Sequence, residues 1–224
     1  MNNNNEQDKS EAPADEVMEP IPFSTDGIPA HLEILKAPDL LPEHTAPIAE
    51  ASADWSEVED FVLGEDVGLI KLNSVRQLRG AALRLLKQAT REVLLVTPDL
   101  EEARFNNEAF VSAISDFVRA SRYAVCRILV GNPDDAVRDH HRLVPLLRRL
   151  SSRIEIRRLH EDDRSETEAW MVVDNIALLR CTDRQPWQGA LTPRNAPEAR
   201  RCRDQFHFWW ERAALIPDFR EFRA

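Results

Sequence analysis

The sequence predicts an α/β domain, and three observations carry the prediction. Two short, continuous apolar runs, Glu92–Thr97 and Ala124–Val130, read as strands buried on both faces. Amphipathic helical stretches precede, separate and follow them, and a third run, Arg153–Arg157, alternates like a strand with one exposed face. Strand, helix, strand, helix, strand in this order implies parallel pairing through right-handed crossovers. The expectation is therefore a mostly parallel sheet with helices on both faces, completed by a late β-hairpin.

The elements follow in order. Residues 1–54 are rich in Asn, Glu, Asp and Pro with scattered apolar residues, too few to repay the entropy of ordering, and are expected to form a disordered acidic arm. Within it Leu32, Ile34, Leu35, Leu40 and Leu41 are interrupted by Pro38, Pro42 and Pro47, an extended pattern. The domain is expected over 55–224. Phe61–Leu63 and Val67–Ile70, around Gly64 and Gly68, suggest one or two opening strands. Asn73-Ser74 can cap a helix Val75–Gln88, whose Leu78, Ala81, Ala82, Leu85 and Leu86 form one broad stripe. Pro98 ends the first buried strand, and a helix Asn107–Ser121 presents Phe110, Ile114, Phe117 and Val118 on one side. A helix His140–Leu150 leads to the strand at 153–157. Trp170–Val173 and Ile176–Leu179 are apolar runs around Asp174-Asn175, a pair that tolerates positive φ, so residues 167–181 are expected as the hairpin. Arg184–Pro197 reads as a polar loop. A last helix, Glu198–Ala213, carries Phe206, Trp209 and Trp210, with Phe208 and Trp209 expected beneath the tail Ile216–Phe222.

Composition narrows the class. Of 224 residues 43% are hydrophobic, enough for one sizeable core. Cys126, Cys181 and Cys202 are odd in number and widely spaced, which speaks against a disulfide framework or a zinc site. The start has neither the basic nor the apolar region of a signal peptide, and no run approaches the ~20 apolar residues of a membrane-spanning helix, so a cytoplasmic location is expected. Charge is divided unevenly. Residues 1–70 hold 17 acidic groups against two lysines (−15), whereas residues 71–224 hold 22 acidic against 27 basic groups (+5).

That basic excess concentrates in one span. Arg138, Arg142, Arg148, Arg149, Arg153, Arg157 and Arg158 fall within 21 residues, beside His140 and His141. Arg142 and Arg149 are seven apart and share a helix face. Guanidinium forks suit phosphate and carboxylate, so His141, Arg142, Arg148, Arg149, Arg153 and Arg157 are the candidate anion-binding residues. The competing expectation is that these arginines pair with Asp134, Asp135, Glu161, Asp162, Asp163 or the acidic arm. Adjacent histidines point about 100° apart on a helix, so no metal site is expected, and no cofactor motif is present.

The runs Arg91–Leu100, Cys126–Val130, His141–Arg149 and Trp170–Asp174 together resemble the phospholipase D superfamily, and within it a family of uncharacterised bacterial domains on that scaffold. The resemblance covers roughly two thirds of the chain and implies a single phospholipase D-like half domain. In active members a strand carries His-x-Lys, followed by an Asp at the next hairpin turn. The His attacks the phosphodiester, the Lys holds phosphate oxygens, and a second half supplies another His. On this sequence those positions fall on Thr167, Ala169 and Asp174. Two of three are replaced, which implies a degenerate, non-catalytic member (a pseudoenzyme), because Thr167 is a poor nucleophile and Ala169 carries no charge. Asp174 has a second explanation as a turn residue. The leading expectation is thus a non-catalytic domain that binds an anionic, phosphate-bearing partner, nucleic acid among them. The alternatives are a phosphodiester hydrolase or transferase using His141, and a protein-interaction module. Because such sites are built from two halves, the resemblance also implies a two-fold homodimer.

Overall fold

A computed structural model describes residues 58, 60–138, 141–166 and 169–219, so the acidic arm lies outside the described residues. In chain order these form β1 (Ile70–Leu72), α1 (Val75–Gln88), β2 (Glu92–Thr97), α2 (Glu102–Phe105), α3 (Glu108–Ala120), β3 (Val125–Val130), α4 (Asp134–Arg138) and α5 (Leu143–Arg149). There follow β4 (Ile154–Arg158), a 3-10 turn (Glu161–Glu166), β5 (Ala169–Val173), β6 (Ala177–Arg184), β7 (Trp187–Thr192), α6 (Ala196–Arg212), β8 (Ala214–Leu215) and a last 3-10 turn, Pro217–Phe219.

Local chemistry sets the helix starts. The Ser74 side chain accepts the Gln77 N–H at 3.1 Å, Asn107 accepts that of Phe110 at 2.9 Å, and Asn195 accepts that of Glu198 at 3.3 Å. The apolar stripes of α1 and α3 then seat on one face of the sheet with α5, enclosing Val93, Leu95, Ile128, Ile154, Met171 and Leu179. The aromatic helix α6 covers the other face. Trp170 meets Phe206 edge-on at 6.2 Å and Trp209 at 6.3 Å, while Phe206 stacks on Trp210 at 5.4 Å. Trp209, 5% exposed, is therefore buried against the sheet by α6 itself, whereas Phe208, expected to be buried with it, is 55% exposed. Helices on both faces are present, as expected.

The mostly parallel sheet is not. The strand order is β1-β7-β6-β5-β2-β3-β4-β8. Only β2–β3 and β3–β4 pair in parallel; the other five pairings are antiparallel. The helical crossovers constrain the strands that they join. The three strands after β4 instead fold as a meander and enter the sheet between β1 and β2. One of them, β7, occupies what reads as a polar loop, because only Leu191 of its side chains is fully buried. Gly189 lets β7 close on its neighbours: a Cβ there would lie 2.3 Å from the Arg180 carbonyl oxygen and 2.7 Å from Leu78 Cδ2. The helix expected over 140–150 is also shorter, with α4 and α5 separated around His141.

The hairpin forms where expected, and its turn does more than reverse the chain. Asp174 and Asn175 have φ of 51° and 59°, the left-handed pair of a two-residue hairpin turn. Asp174 Oδ2 accepts the Thr90 N–H at 2.7 Å and the Thr90 hydroxyl at 2.9 Å; Oδ1 accepts the N–H groups of Arg91 at 2.8 Å and Glu92 at 2.9 Å. Its own N–H donates to the Glu92 carbonyl at 2.9 Å. One carboxylate thus ties the hairpin to the α1–β2 connection. Asp174→Ala should lower the unfolding free energy in urea by about 2–3 kcal/mol, since charge-assisted hydrogen bonds are lost together. Asp174→Asn, which keeps the turn preference but can offer only one oxygen, should lose less. An unchanged midpoint for both would remove the clamp from the account.

Candidate functional site

In open α/β sheets ligands meet the carboxyl ends of the strands. At that end β2 stops at Pro98, and the chain turns through Leu100 at φ 57°, a left-handed conformation uncommon for a leucine. The β3 end comes close: Gly131 N–H donates to the Thr97 carbonyl at 3.0 Å, and a Cβ on Gly131 would sit 3.0 Å from the Pro98 carbonyl oxygen.

This turn delivers a buried charged cluster. Thr97 Oγ1 donates to Glu101 Oε2 at 2.6 Å, and the Glu101 side chain also meets Arg184 at 3.2 Å and Arg104 at 3.4 Å. Arg184 reaches from β6 and grips Asp99 bidentately, both distances 3.0 Å. Burial works against the Arg184 charge, but the Asp99 hydrogen bonds and the Glu101 carboxylate hold its pKa above the usual arginine value. Arg104 is 1% exposed and stacks on the Phe105 ring at 4.6 Å. Its Nε and Nη2 have no hydrogen-bond partner among the described residues. Cys181 lies alongside; burial pushes its thiol up, with Arg104 opposing.

Of the three motif positions, one lies beside this cluster. Ala169, 4% exposed, opens β5 and pairs in register with Cys181. The place of the motif lysine is therefore occupied by a methyl group beside an arginine–carboxylate network. Thr167 lies outside the described residues. Asp174 stands at the opposite end of β5, committed to backbone donors, so no chemistry at Ala169 reaches it.

The arginine span does not form one surface. Arg142, at the N-cap of α5, and Arg149, in its last turn, are exposed, as is Pro145 between them. Arg148 borders a groove of about 340 Å³ lined by Leu147, Ile154, Ile156 and Phe219. Arg157 belongs to the α6 side: its guanidinium lies 4.3 Å from the Trp210 ring centroid, donates to the Trp210 carbonyl at 3.1 Å and to Glu155 at 2.9 Å. Arg153 precedes β4 in a turn and is half-buried. Arg158 pairs with Asp134, whereas Asp162 and Asp163 are taken by Arg212, each at 3.2 Å. His140 lies outside the described residues. His141, only 3% exposed, is set apart from the exposed arginines and braces the start of α5: Nδ1 accepts the Leu143 N–H at 3.2 Å. Burial lowers its pKa, against the Glu102 carboxylate and the Leu100 backbone. Among the described residues no group of three His, Cys, Asp or Glu side chains is placed to hold a metal ion.

Sequence reasoning missed Asp99, Glu101, Arg104 and Arg184. Arg184 lies some eighty residues from its partners, and Glu101-x-x-Arg104 is an ordinary helical pair until its burial is known. The Leu100 turn carries no glycine to mark it.

Residues 74–222 match a family described as a domain of unknown function, DUF7931. The chain belongs to that family. No curated protein matches the sequence. Among solved structures, the DUF7931 domain is similar to TrmBL2, an archaeal chromatin protein whose structure is described as showing a novel mode of DNA binding. That similarity has a TM-score of 0.52 at 13% identity over 68% of this chain, and the match spans only 55% of TrmBL2. Nuc from Salmonella typhimurium, a phospholipase D family member, gives 0.51 at 12% identity over 70% of this chain and 99% of its own. The phosphatidylserine synthase of Haemophilus influenzae Rd KW20 gives 0.50 at 12% identity over 71% and 42%. At these identities the likeness concerns the fold: a phospholipase D-like domain of mixed α/β architecture. No helix among the described residues is long and apolar enough to cross a membrane.

The buried imidazole gives the fold a pH dependence. Its folded pKa lies below its unfolded value, so its contribution is fully present above the ordinary imidazole value of 6.5 and is lost as pH falls below it. Urea unfolding of the full chain should show stability declining through acid pH more steeply than in His141→Gln. Equal slopes would contradict the assignment.

Proposed function

We propose that this domain binds a phosphate-bearing polymer, nucleic acid foremost, through the outward side of α5, and leaves its phosphodiester bonds intact. One observation carries the binding half. Arg142, the N-cap of α5, and Arg149, in its last turn, are both exposed, and neither has a carboxylate partner among the described residues. Arg157 and Arg158, by contrast, already have acidic partners. Two guanidinium groups left open on a region whose net balance is +5 over residues 71–224 suit backbone phosphates. The fold offers precedent in the DNA-binding described for TrmBL2 and in the phospholipase D membership of Nuc.

The non-cleaving half rests on chemistry at the sheet end. Ala169 supplies no charge, and the nearby Glu101, Asp99 and Arg184 are engaged with one another. His141 is poorly suited to replace the missing nucleophile. With Nδ1 accepting from Leu143, the proton of the neutral ring sits on Nε2, so neither nitrogen offers a free lone pair.

The test is anisotropy of a labelled DNA oligonucleotide with full-length protein at several salt concentrations. Affinity should fall as salt rises, and Arg142→Glu/Arg149→Glu should weaken it at least about tenfold and reduce the log–log salt slope by about 2. Both side chains are exposed, so the unfolding midpoint should stay unchanged. Salt-independent binding, or none by the wild type, would overturn the proposal.

A further inference from the structure

Beyond the carboxyl ends of β2 and β3 lies a cavity of about 190 Å³, walled by Asp99, Glu101, Glu102, Asn106, Ala136 and His141. It has no part in the proposed use of α5. Its volume is below the several hundred Å³ of ordinary ligand pockets, so it suits a molecule of few heavy atoms.

The polar groups on its wall are not equivalent. Both Asp99 oxygens accept from Arg184, and Glu101 is held by Thr97 and Arg184. Too few carboxylate oxygens remain open to build the oxygen shell of a hard metal ion. Glu102 differs: exposed at the mouth, it has no cationic partner among the described residues, only the Asn106 amide at 3.5 Å. Opposite it, His141 is buried, and with Nδ1 accepting from Leu143 its Nε2 carries the proton of the neutral ring. That Nε2 makes no hydrogen bond of good geometry among the described residues, although the Leu100 backbone lies close enough to favour the protonated ring. A buried donor left unmade is costly, so the site favours a guest that accepts from it.

We propose that this cavity binds a small primary ammonium group bearing a carbonyl oxygen, the ammonium on the Glu102 carboxylate and the oxygen on the His141 Nε2–H. The amino terminus of a peptide and a free amino amide share this chemistry. A carboxylate and an N–H donor facing one another complement it, whereas a bare cation leaves the donor unmet and a neutral amide leaves the carboxylate unmet.

The experiment titrates full-length, isotope-labelled protein with glycinamide and follows the His141 ring C–H and Glu102 amide resonances. Saturable shifts at both are expected. Propylamine, which lacks the carbonyl, and N-acetylglycinamide, which lacks the ammonium, should each bind at least about fivefold more weakly. Glu102→Gln should weaken glycinamide at least about tenfold with an unchanged unfolding midpoint, because Glu102 is exposed. That variant keeps the test decisive if His141 substitutions fail to fold. A triglycine amide separates the sources: comparable binding points to a peptide terminus, and exclusion points to the free molecule. No saturation, equal binding of propylamine, or full binding by Glu102→Gln would overturn the proposal.

Discussion

The Asp174 carboxylate is the interaction on which the rest of this domain depends. It collects four hydrogen bonds from Thr90, Arg91 and Glu92, just where the chain leaves α1 and enters the central strand. Fixing the hairpin turn there sets the register of β5 against β2, Val93 opposite Val173 and Val96 opposite Trp170. A slip of one residue would turn Trp170 away from Phe206 and Trp209 and move Ala169 to the wrong face. Asp174 thus serves the architecture, holding the hairpin against the central strand.

What occupies the carboxyl end of β2 is a self-contained set of charges. Glu101 and Asp99 are met by Arg104, Arg184 and Thr97 across β2, α2 and β6. Buried ion pairs of this kind add little net stability, because desolvation offsets much of their attraction, but breaking one side strands the other. The cluster therefore reads as a conformational latch between β6 and the β2 turn, and it holds Leu100 in its left-handed geometry. The same turn places Glu102 across from His141, so the latch and the small cavity share one support.

Much of the fold was legible in the sequence because burial leaves a strong periodic trace. The runs at 92–97 and 124–130 could only be inner strands, and Asp174-Asn175 could only be a tight turn. The sheet's direction was not legible, since apolar runs do not say which neighbour they pair with. β7 escaped because Trp187, Gln188, Gly189 and Ala190 are at most partly buried, and it is held by backbone hydrogen bonds that any sequence can make. The site was read less well. The arginine density near 138–158 was visible, but β4 alternation and the turn at His141 distribute those side chains among separate surroundings. Arg142, at the N-cap of α5, and Arg149, in its last turn, are both exposed.

The proposed function pairs a phospholipase D-like scaffold with intact phosphodiester bonds. Turnover tests it most directly: full-length protein at micromolar concentration with bis(p-nitrophenyl) phosphate, wild type beside His141→Ala. Release of p-nitrophenol no faster than the buffer blank is expected for both proteins. Release by the wild type that disappears in His141→Ala would contradict it and make the buried imidazole a catalytic group.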